Sequence, residues 1–198
     1  MAKRVLDLLV AALALVLTAP FFVLIALCVR LDSPGPVLFR QVRIARGGVP
    51  FEILKFRTMR VEPAGVGPLI TAAGDRRITR FGALLRKTKL DELPQLVNVL
   101  KGDMSLVGPR PEVPKYVALY PAEVRDVVLS VRPGITDEAS IEFRDESALL
   151  AGAEDVEATY VRDILPRKLQ VYVRYAREHT LMGDLRILAH TVRALLKG

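Results

Sequence analysis

The feature that most constrains this chain is an uncharged apolar run near its N-terminus, from Leu8 to Val29, interrupted only by Thr18 and Pro20. About 20 consecutive apolar residues are enough for a helix to cross a bilayer. The run is longer than the hydrophobic segment of a secretory signal peptide, and no small-x-small cleavage site follows it. We therefore interpret the run as a retained membrane anchor.

The residues around this run leave two membrane topologies open. Pro20 lacks an N–H and clashes with the preceding helical turn, so it favours a kink or a break in the middle of the run. Both flanks are basic, with Lys3 and Arg4 before the run, and Arg30, Arg40, Arg43 and Arg46 after it. The positive-inside rule then favours the cytoplasm for both ends. A re-entrant helix–break–helix agrees with this rule. A spanning helix that tolerates the proline agrees with the length of the run but not with the charge of both flanks.

The remainder of the chain is a basic domain. The sequence has 29 Lys and Arg against 22 Asp and Glu, a net charge of +7, which fits nucleic acid, an anionic membrane surface or phosphorylated substrates as partners. Nucleic acid is disfavoured, because single strands are bound by interleaved aromatic residues and the basic segment Arg76–Lys89 contains only Phe81. The single cysteine, Cys28, allows no disulfide within this sequence.

Short-range patterns predict an α+β fold that is mainly helical. Two β-rich runs, Val37–Arg43 and Phe51–Phe56, flank a Gly-Gly pair and predict a small β-hairpin. Basic and apolar residues alternate over Arg76–Lys89 as in an amphipathic helix, and apolar spacing over Leu93–Leu100 predicts a short helix. The last segment, Asp184–Lys197, predicts an amphipathic helix that packs on the core or lies at the membrane interface.

One group of charged residues suggests chemistry. Asp91 and Glu92 open the predicted short helix, where plain capping of a helix N-terminus is the alternative interpretation. Basic residues precede them, the hairpin carries Lys55 and Arg57, and a Gly-Pro-Arg-Pro loop holds Arg110 between two prolines. Carboxylates among several cations suit phosphoryl transfer, in which a carboxylate binds Mg²⁺ or attacks phosphorus while cations neutralise the phosphate.

Distinctive segments follow one another over nearly the whole chain: Lys3-Arg4, Asp7, Pro20, Lys55–Met59, Arg77–Gly82, Leu85–Thr88, Leu90–Leu96, Asn98–Ser105, Val107–Glu112, Val131–Thr136 and Asp184–Ile187. In this order they resemble the bacterial sugar transferase family, the monotopic enzymes that transfer a sugar-1-phosphate to a polyprenyl phosphate. Several long motifs in order are far more specific than one short pattern.

The resemblance implies an anchor over residues 1–31, broken at Pro20, and a catalytic domain over residues 32–198. This domain would lie on the membrane lipid at the cytoplasmic face of the bacterial inner membrane. The resemblance also implies a ping-pong reaction, in which Asp91 attacks the β-phosphorus of a UDP-sugar, releases UMP and holds the phosphosugar until polyprenyl phosphate accepts it. Asp91 would be close to Mg²⁺, and Glu92 would act as a metal partner or as a base. Five basic residues are expected to bind phosphate or substrate: Lys55, Arg57, Arg86, Arg110 and Arg144.

The chain leaves the family pattern after Val131–Thr136. The family commonly continues as Gly-Trp-Ala-Gln, whereas this chain has an acidic segment that begins at Asp137, with Arg144 still in register. We predict that Asp137–Glu146 helps to select the sugar, which the sequence does not identify; a solvated acidic loop is the alternative. For the whole chain, the alternative function is a basic membrane-associated binding or scaffold protein, which the intact Asp91-Glu92 pair disfavours.

Overall fold

The chain begins with one long apolar helix, α1 (Ala2–Asp32). The structure is a computed structural model that describes residues 1–61, 70–71, 74–143, 149–150 and 152–196. By length and composition, α1 is the one helix among the described residues that could cross a membrane. The helix runs through Pro20 without interruption, so the prediction of two helices separated at this residue is wrong. Proline lacks one backbone N–H, so the helix loses a single hydrogen bond at Pro20. The other backbone hydrogen bonds of an apolar helix still form.

The predicted β-hairpin follows α1. Strand β1 (Leu38–Ile44) pairs antiparallel with β2 (Pro50–Phe56). The turn between them places Gly47 and Gly48 at positive φ, which glycine adopts without steric strain. The next element is the predicted amphipathic helix α2 (Arg80–Thr88).

The predicted short helix is α3 (Gln95–Lys101), and the acidic pair lies just before it in a 3-10 turn over Leu90–Glu92. Asn98 fixes α3 to β2 through both atoms of its amide. Its Oδ1 accepts from the Leu54 N–H at 3.0 Å, and its Nδ2 donates to the Glu52 carbonyl oxygen at 2.8 Å. These bonds set α3, and the turn that precedes it, against the end of the hairpin.

A second strand pair is absent from the sequence-based prediction. Strands β3 (Ser105–Val107) and β4 (Gly134–Thr136) pair in parallel, and two short helices connect them: α4 (Pro114–Val117) and α5 (Ala122–Val128). Each strand has three residues, too few to show the alternation by which strands are recognised. Gly108 follows β3 so close to the Arg132 carbonyl oxygen that a β-carbon there would clash.

The C-terminal part is helical. It comprises α6 (Glu138–Glu142), α7 (Val156–Thr159), a π-helical turn (Tyr160–Ile164), α8 (Leu165–Glu178) and α9 (Leu181–Leu196). Helix α9 is the predicted C-terminal amphipathic helix, beginning at Leu181 rather than at Asp184.

Three clusters of buried apolar residues hold these elements together. The first joins α4, α5, α6 and α8 around Tyr116 and Tyr172. The second joins α1, the hairpin, α3, β3 and α9 around Val99 and Met104. The third joins the C-terminal end of α1 to β2 and α2 around Phe56. Helix α1 thus contributes to two of the three cores.

Helix α1 packs on the rest of the protein near both of its ends. Ala11 is buried in the second core, and Ile25 and Val29 are buried in the third. Between these contacts, α1 exposes large apolar side chains: Leu13, Val16, Leu17, Phe21, Val23 and Leu24. One apolar surface of α1 is therefore left uncovered between two points of attachment.

Candidate active site

Glu92 is the centre of a buried ion cluster with Lys55 and Arg110, the Glu92 cluster. Its Oε1 lies 2.8 Å from the Lys55 Nζ and 2.7 Å from the Arg110 Nη2. Burial by itself would raise the pKa of Glu92, but the charges of Arg110 and Lys55 outweigh burial and hold that pKa well below its usual range. Glu92 is therefore a carboxylate at neutral pH, and it holds the two cations in place.

Asp91 has a different environment from its neighbour. Its side chain is buried, and its Oδ1 has no hydrogen-bond partner among the described residues. Burial, together with the adjacent charge of Glu92, raises the pKa of Asp91 above its ordinary value, although Lys55 and Lys89 oppose the shift. A carboxylate oxygen that is poorly neutralised is more basic than a paired one, which suits it to attack an electrophile or to bind a cation.

The turn that presents Asp91 begins at Lys89. This residue has φ 58° and ψ 14°, and it is the one non-glycine residue with positive φ in the part of the chain that the structure describes. A left-handed conformation costs a residue with a β-carbon about 1–2 kcal/mol. It ends α2 sharply and directs the chain into the 3-10 turn, so that Asp91 and Glu92 point into the protein beside the hairpin.

The structure brings together four of the seven predicted catalytic and binding residues: Asp91, Glu92, Lys55 and Arg110. Arg86 lies in the last turn of α2, where its charge lowers the pKa of Asp91, but no hydrogen bond or ion pair of its side chain is found within the described ranges. Arg144 lies outside the described residues.

Arg57 is not at this site. Its buried guanidinium donates to the carbonyl oxygens of Val29 at 3.2 Å, Ser33 at 2.7 Å and Pro34. The structure thus places Arg57 on carbonyl groups at the C-terminal end of α1, apart from the Glu92 cluster, and its contact with phosphate stays a prediction. A guanidinium fits this place because the carbonyls at a helix C-terminus carry partial negative charge.

The chain matches a known protein family along its length. The model for the bacterial sugar transferase family matches residues 1–198. The chain belongs to this family.

Three relatives are enzymes that act on undecaprenyl phosphate by name. A UDP-glucose:undecaprenyl-phosphate glucose-1-phosphate transferase of Caulobacter vibrioides is 42% identical over 98% of this chain and 69% of its own. A UDP-N-acetylgalactosamine-undecaprenyl-phosphate N-acetylgalactosaminephosphotransferase of Aeromonas hydrophila is 37% identical over 99% of this chain. A glucose-1-phosphate transferase of Escherichia coli is 38% identical over 96% of this chain. The chain spans 44% and 39% of the last two relatives.

Gln95 is a candidate site residue that the sequence interpretation did not single out. It is 1% exposed, and neither atom of its side-chain amide has a hydrogen-bond partner among the described residues. Gln95 follows Asp91 by four residues and Glu92 by three, the spacings that place side chains on one helical face. Its place in the motif Leu90–Leu96 was the available signal, but no charge or metal-ligand pattern distinguished it.

The Gly-Pro-Arg-Pro loop of the transferase is held from two further directions. Arg43 on β1 donates to the Pro111 carbonyl oxygen at 2.8 Å and lies 3.6 Å from the Glu112 carboxylate, which accepts from the Tyr160 hydroxyl at 2.7 Å.

Asp137 is buried and caps α6 by accepting from the Ser140 N–H at 2.8 Å. Burial raises the pKa of Asp137, and its charge also acts on Arg110. The segment predicted to select the sugar therefore begins next to the active site.

The site fits a divalent cation at Asp91 alone. The described residues contain no group of three or more His, Cys, Asp or Glu side chains that could hold a metal ion. Mg²⁺ is commonly bound by one or two carboxylates, with water and substrate phosphates as its other ligands. The unpartnered Asp91 Oδ1 matches this requirement, whereas Glu92 is already occupied by Lys55 and Arg110.

Neither of the two best-formed clefts among the described residues is lined by Asp91. The more voluminous of the two best-formed clefts holds about 580 Å³ and lies between the hairpin turn, α4 and α5; the smaller one reaches Arg110 but not the acidic pair. Arg110 and Lys55 keep 28% and 17% of their side chains exposed. The cations of the Glu92 cluster therefore border the surface, where a phosphate group can reach them.

Proposed function

We propose that this protein is a phosphoglycosyl transferase that moves a sugar-1-phosphate from a UDP-sugar to a polyprenyl phosphate. The observation that carries the proposal is the pair of adjacent buried carboxylates, one fixed between two cations and one with an oxygen that has no partner. The names of the relatives support the same donor and acceptor classes. Transfer to such a lipid is the first membrane step in assembling a polysaccharide or another glycoconjugate.

In the proposed first half-reaction, an Asp91 oxygen forms a bond to the β-phosphorus of the UDP-sugar. The bond from that phosphorus to the bridging oxygen breaks, and UMP leaves with the electron pair. The phosphosugar then remains on Asp91 as an acyl phosphate. In the second half-reaction, a phosphate oxygen of polyprenyl phosphate attacks the same phosphorus, and the Asp91 carboxylate is restored.

Lys55 and Arg110 would bind the transferred phosphate in both half-reactions. Each is oriented by Glu92 and retains N–H donors directed away from it, so charge-assisted hydrogen bonds to phosphate oxygens are available. Mg²⁺ held at Asp91 would neutralise the diphosphate that the carboxylate approaches. A general base accepts a proton well only when its pKa lies near the working pH. The lowered pKa of Glu92 therefore favours the role of holding cations over that of a base.

We also propose that α1 is embedded in the membrane with both of its ends at one face, the cytoplasmic face of a bacterial inner membrane. A straight helix of this length is about 46 Å long, so a spanning α1 would separate its ends by a whole bilayer. Yet its first turns and its last turn both contact the catalytic domain, through Lys3, Asp7 and Val29. The uncovered apolar side chains between these contacts support insertion of the middle of α1 into lipid.

The experiment that tests the proposed activity is UMP release from a panel of UDP-sugars, with and without polyprenyl phosphate. Wild-type protein is expected to release UMP with at least one sugar and to lose this activity on chelation of divalent cations. Asp91→Asn is expected to release none, whereas Asp126→Asn, on the exposed surface of α5, serves as the matched control. Release by Asp91→Asn would refute the nucleophile, and no release from any UDP-sugar would favour a non-catalytic membrane protein.

A further inference from the structure

Three distant segments of the chain meet at one backbone oxygen, the carbonyl of Val107 at the end of β3. The Lys3 Nζ donates to this oxygen at 3.0 Å, and the Tyr175 hydroxyl lies 2.9 Å from it. Both side chains also reach Asp184, with Lys3 Nζ 2.6 Å from Oδ2 and the Tyr175 hydroxyl 2.7 Å from Oδ1. We call Lys3, Tyr175 and Asp184 the Val107 clamp.

The clamp is built from charged and polar groups in a buried place. Asp184 is 2% exposed and Tyr175 is 8% exposed. A buried ion pair is weak evidence for stability, since a packed apolar replacement often stabilises a protein as well. A buried polar network whose hydrogen bonds are all made holds its groups in one defined arrangement. The clamp therefore fixes the position of the Val107 carbonyl more narrowly than apolar packing would.

The loop that follows Val107 transmits this position to Arg110. The Gly108 N–H donates to the Thr136 carbonyl oxygen at 3.1 Å, and the Pro109 carbonyl accepts from the Gly134 N–H at 3.0 Å. Proline rings fix φ on both sides of Arg110. Few backbone torsions are free between the Val107 carbonyl and the guanidinium that binds Glu92.

Helix α1 holds the remaining two residues of β3 as well. The Asp7 Oδ1 accepts from the Leu106 N–H at 3.1 Å, and its Oδ2 accepts from the Ser105 hydroxyl at 2.8 Å. The first turns of the anchor therefore bind every residue of the strand that leads into the active-site loop. An anchor displaced from this position would release β3 and the loop together.

We propose that Lys3, Tyr175 and Asp184 are positioning residues for the transfer reaction, which set the Gly108–Pro111 loop so that Arg110 meets Glu92 only when the anchor is seated. Anchor and C-terminal helix thus act on catalysis through one carbonyl oxygen, without touching substrate. The expected effect on kcat rests on the proposed function, whereas the expected ordering of residues 105–111 does not.

The test compares clamp variants of the full-length protein in detergent or nanodiscs. Lys3→Met and Tyr175→Phe each remove one contact to the Val107 carbonyl, and Lys3→Arg restores a donor of similar reach. Arg177→Met is the matched control, since it removes an exposed cation two residues from Tyr175 on α8. Three quantities are measured: hydrogen–deuterium exchange of residues 105–111, kcat and KM for UMP release, and Tm.

We expect Lys3→Met and Tyr175→Phe to speed exchange in residues 105–111 and to lower kcat about tenfold with KM for the UDP-sugar nearly unchanged, the pattern of a lost transition-state interaction. Lys3→Arg should recover most of kcat, and Arg177→Met should resemble wild type. A fall in Tm with kcat and local exchange unchanged would show that the clamp only holds the fold, and would overturn the proposal. If wild type releases no UMP, the proposed function fails, and exchange in residues 105–111 alone then decides the clamp.

Discussion

Two neighbouring carboxylates, Asp91 and Glu92, have pKa values displaced in opposite directions although both are buried. Desolvation acts on both and favours the neutral acid. Among the described residues, Glu92 has two cations within hydrogen-bond distance and Asp91 has none. The pKa of Glu92 therefore lies well below its ordinary value, and that of Asp91 lies above it. The proposed nucleophile, Asp91, is the carboxylate that the fold stabilises less.

The raised pKa of Asp91 predicts a gain of stability on Asp91→Asn. An acid whose pKa is higher in the folded protein than in the unfolded chain costs folding free energy once the pH exceeds the unfolded value. At pH 7 the neutral amide avoids this cost, so Tm should rise by about 2–4 °C for each kcal/mol recovered, while turnover is lost. Differential scanning fluorimetry at pH 7 checks this, with Asp126→Asn unchanged; a lower Tm for Asp91→Asn would contradict it.

Gln95 offers a second separation of stability from activity. Its two amide atoms are buried without partners in the described structure, and each unsatisfied group costs about 1–3 kcal/mol. Gln95→Leu keeps the volume and removes both groups, so we expect the ligand-free protein to be more stable and UMP release to fall. Chemical denaturation and the release assay measure the two effects. Equal activity with higher stability would show that Gln95 has no part in the reaction.

The lowered pKa of Glu92 predicts how stability depends on pH. An acid with a depressed folded-state pKa contributes stability that is present above the unfolded value, about 4.3 for Glu, and is lost as pH falls through the folded value. Glu92→Gln should therefore lower Tm most at pH 7, and the difference from wild type should shrink below about pH 4.3. A Tm difference that is constant between pH 7 and pH 3 would show that ionisation of Glu92 does not stabilise the fold.

At the scale of elements, the sequence predicted those segments whose pattern is local and repeated. The hairpin, α2, α3 and α9 were found because side-chain spacing reports the periods of strands and helices. The parallel pair β3–β4 was missed, since three residues show no period and the pairing depends on where the chain returns after α5. The continuity of α1 through Pro20 was missed as well. The helix-breaking tendency of proline was weighed without the backbone hydrogen bonds that the helical turns on both sides of it keep.

The candidate site shows the same limit. Lys55 and Arg57 stand two residues apart, the spacing that places side chains on one face of a strand. Lys55 contacts Glu92, however, whereas the Arg57 guanidinium binds carbonyl oxygens at the end of α1. The carbonyl groups that receive Arg57 come from a distant part of the chain, and the spacing of the two cations does not report them.

This difference predicts opposite effects for two matched substitutions. Arg57→Met leaves buried carbonyls at the end of α1 without a donor, and unsatisfied buried groups cost about 1–3 kcal/mol each. We expect it to lower stability while correctly folded protein retains kcat. Lys55→Met removes a cation from Glu92 and should lower kcat for UMP release at every UDP-sugar. Activity per folded molecule, from active-site titration, distinguishes the two; equal losses of kcat would restore a substrate role for Arg57.

At the scale of the whole molecule, the attachment of both ends of α1 to one domain links topology to catalysis. Lys3 and Asp7 at one end bind β3, which leads to Arg110. Arg57 at the other end binds Val29 from the strand that carries Lys55. Lys55 is two residues from Arg57, and Arg110 is three residues from Val107. We therefore expect a change in how α1 lies in the membrane to reach the candidate site from two sides.

The same attachments predict the result of cysteine labelling. In a Cys28→Ala background, Ala2→Cys and Arg40→Cys flank the apolar segment at exposed positions, and a membrane-impermeant maleimide should reach both from the cytoplasmic side only. Pro20→Leu should leave this pattern unchanged, because α1 is already continuous at Pro20 and its ends are held by the domain. Releasing the N-terminal end with Lys3→Met and Asp7→Leu together should expose position 2 to label from the opposite side in part of the population, since a continuous apolar helix satisfies its own backbone across lipid. Labelling of position 2 in the otherwise unaltered protein from the opposite side alone would show that α1 spans the bilayer, and the contacts at its first turns would then have to be absent in the membrane.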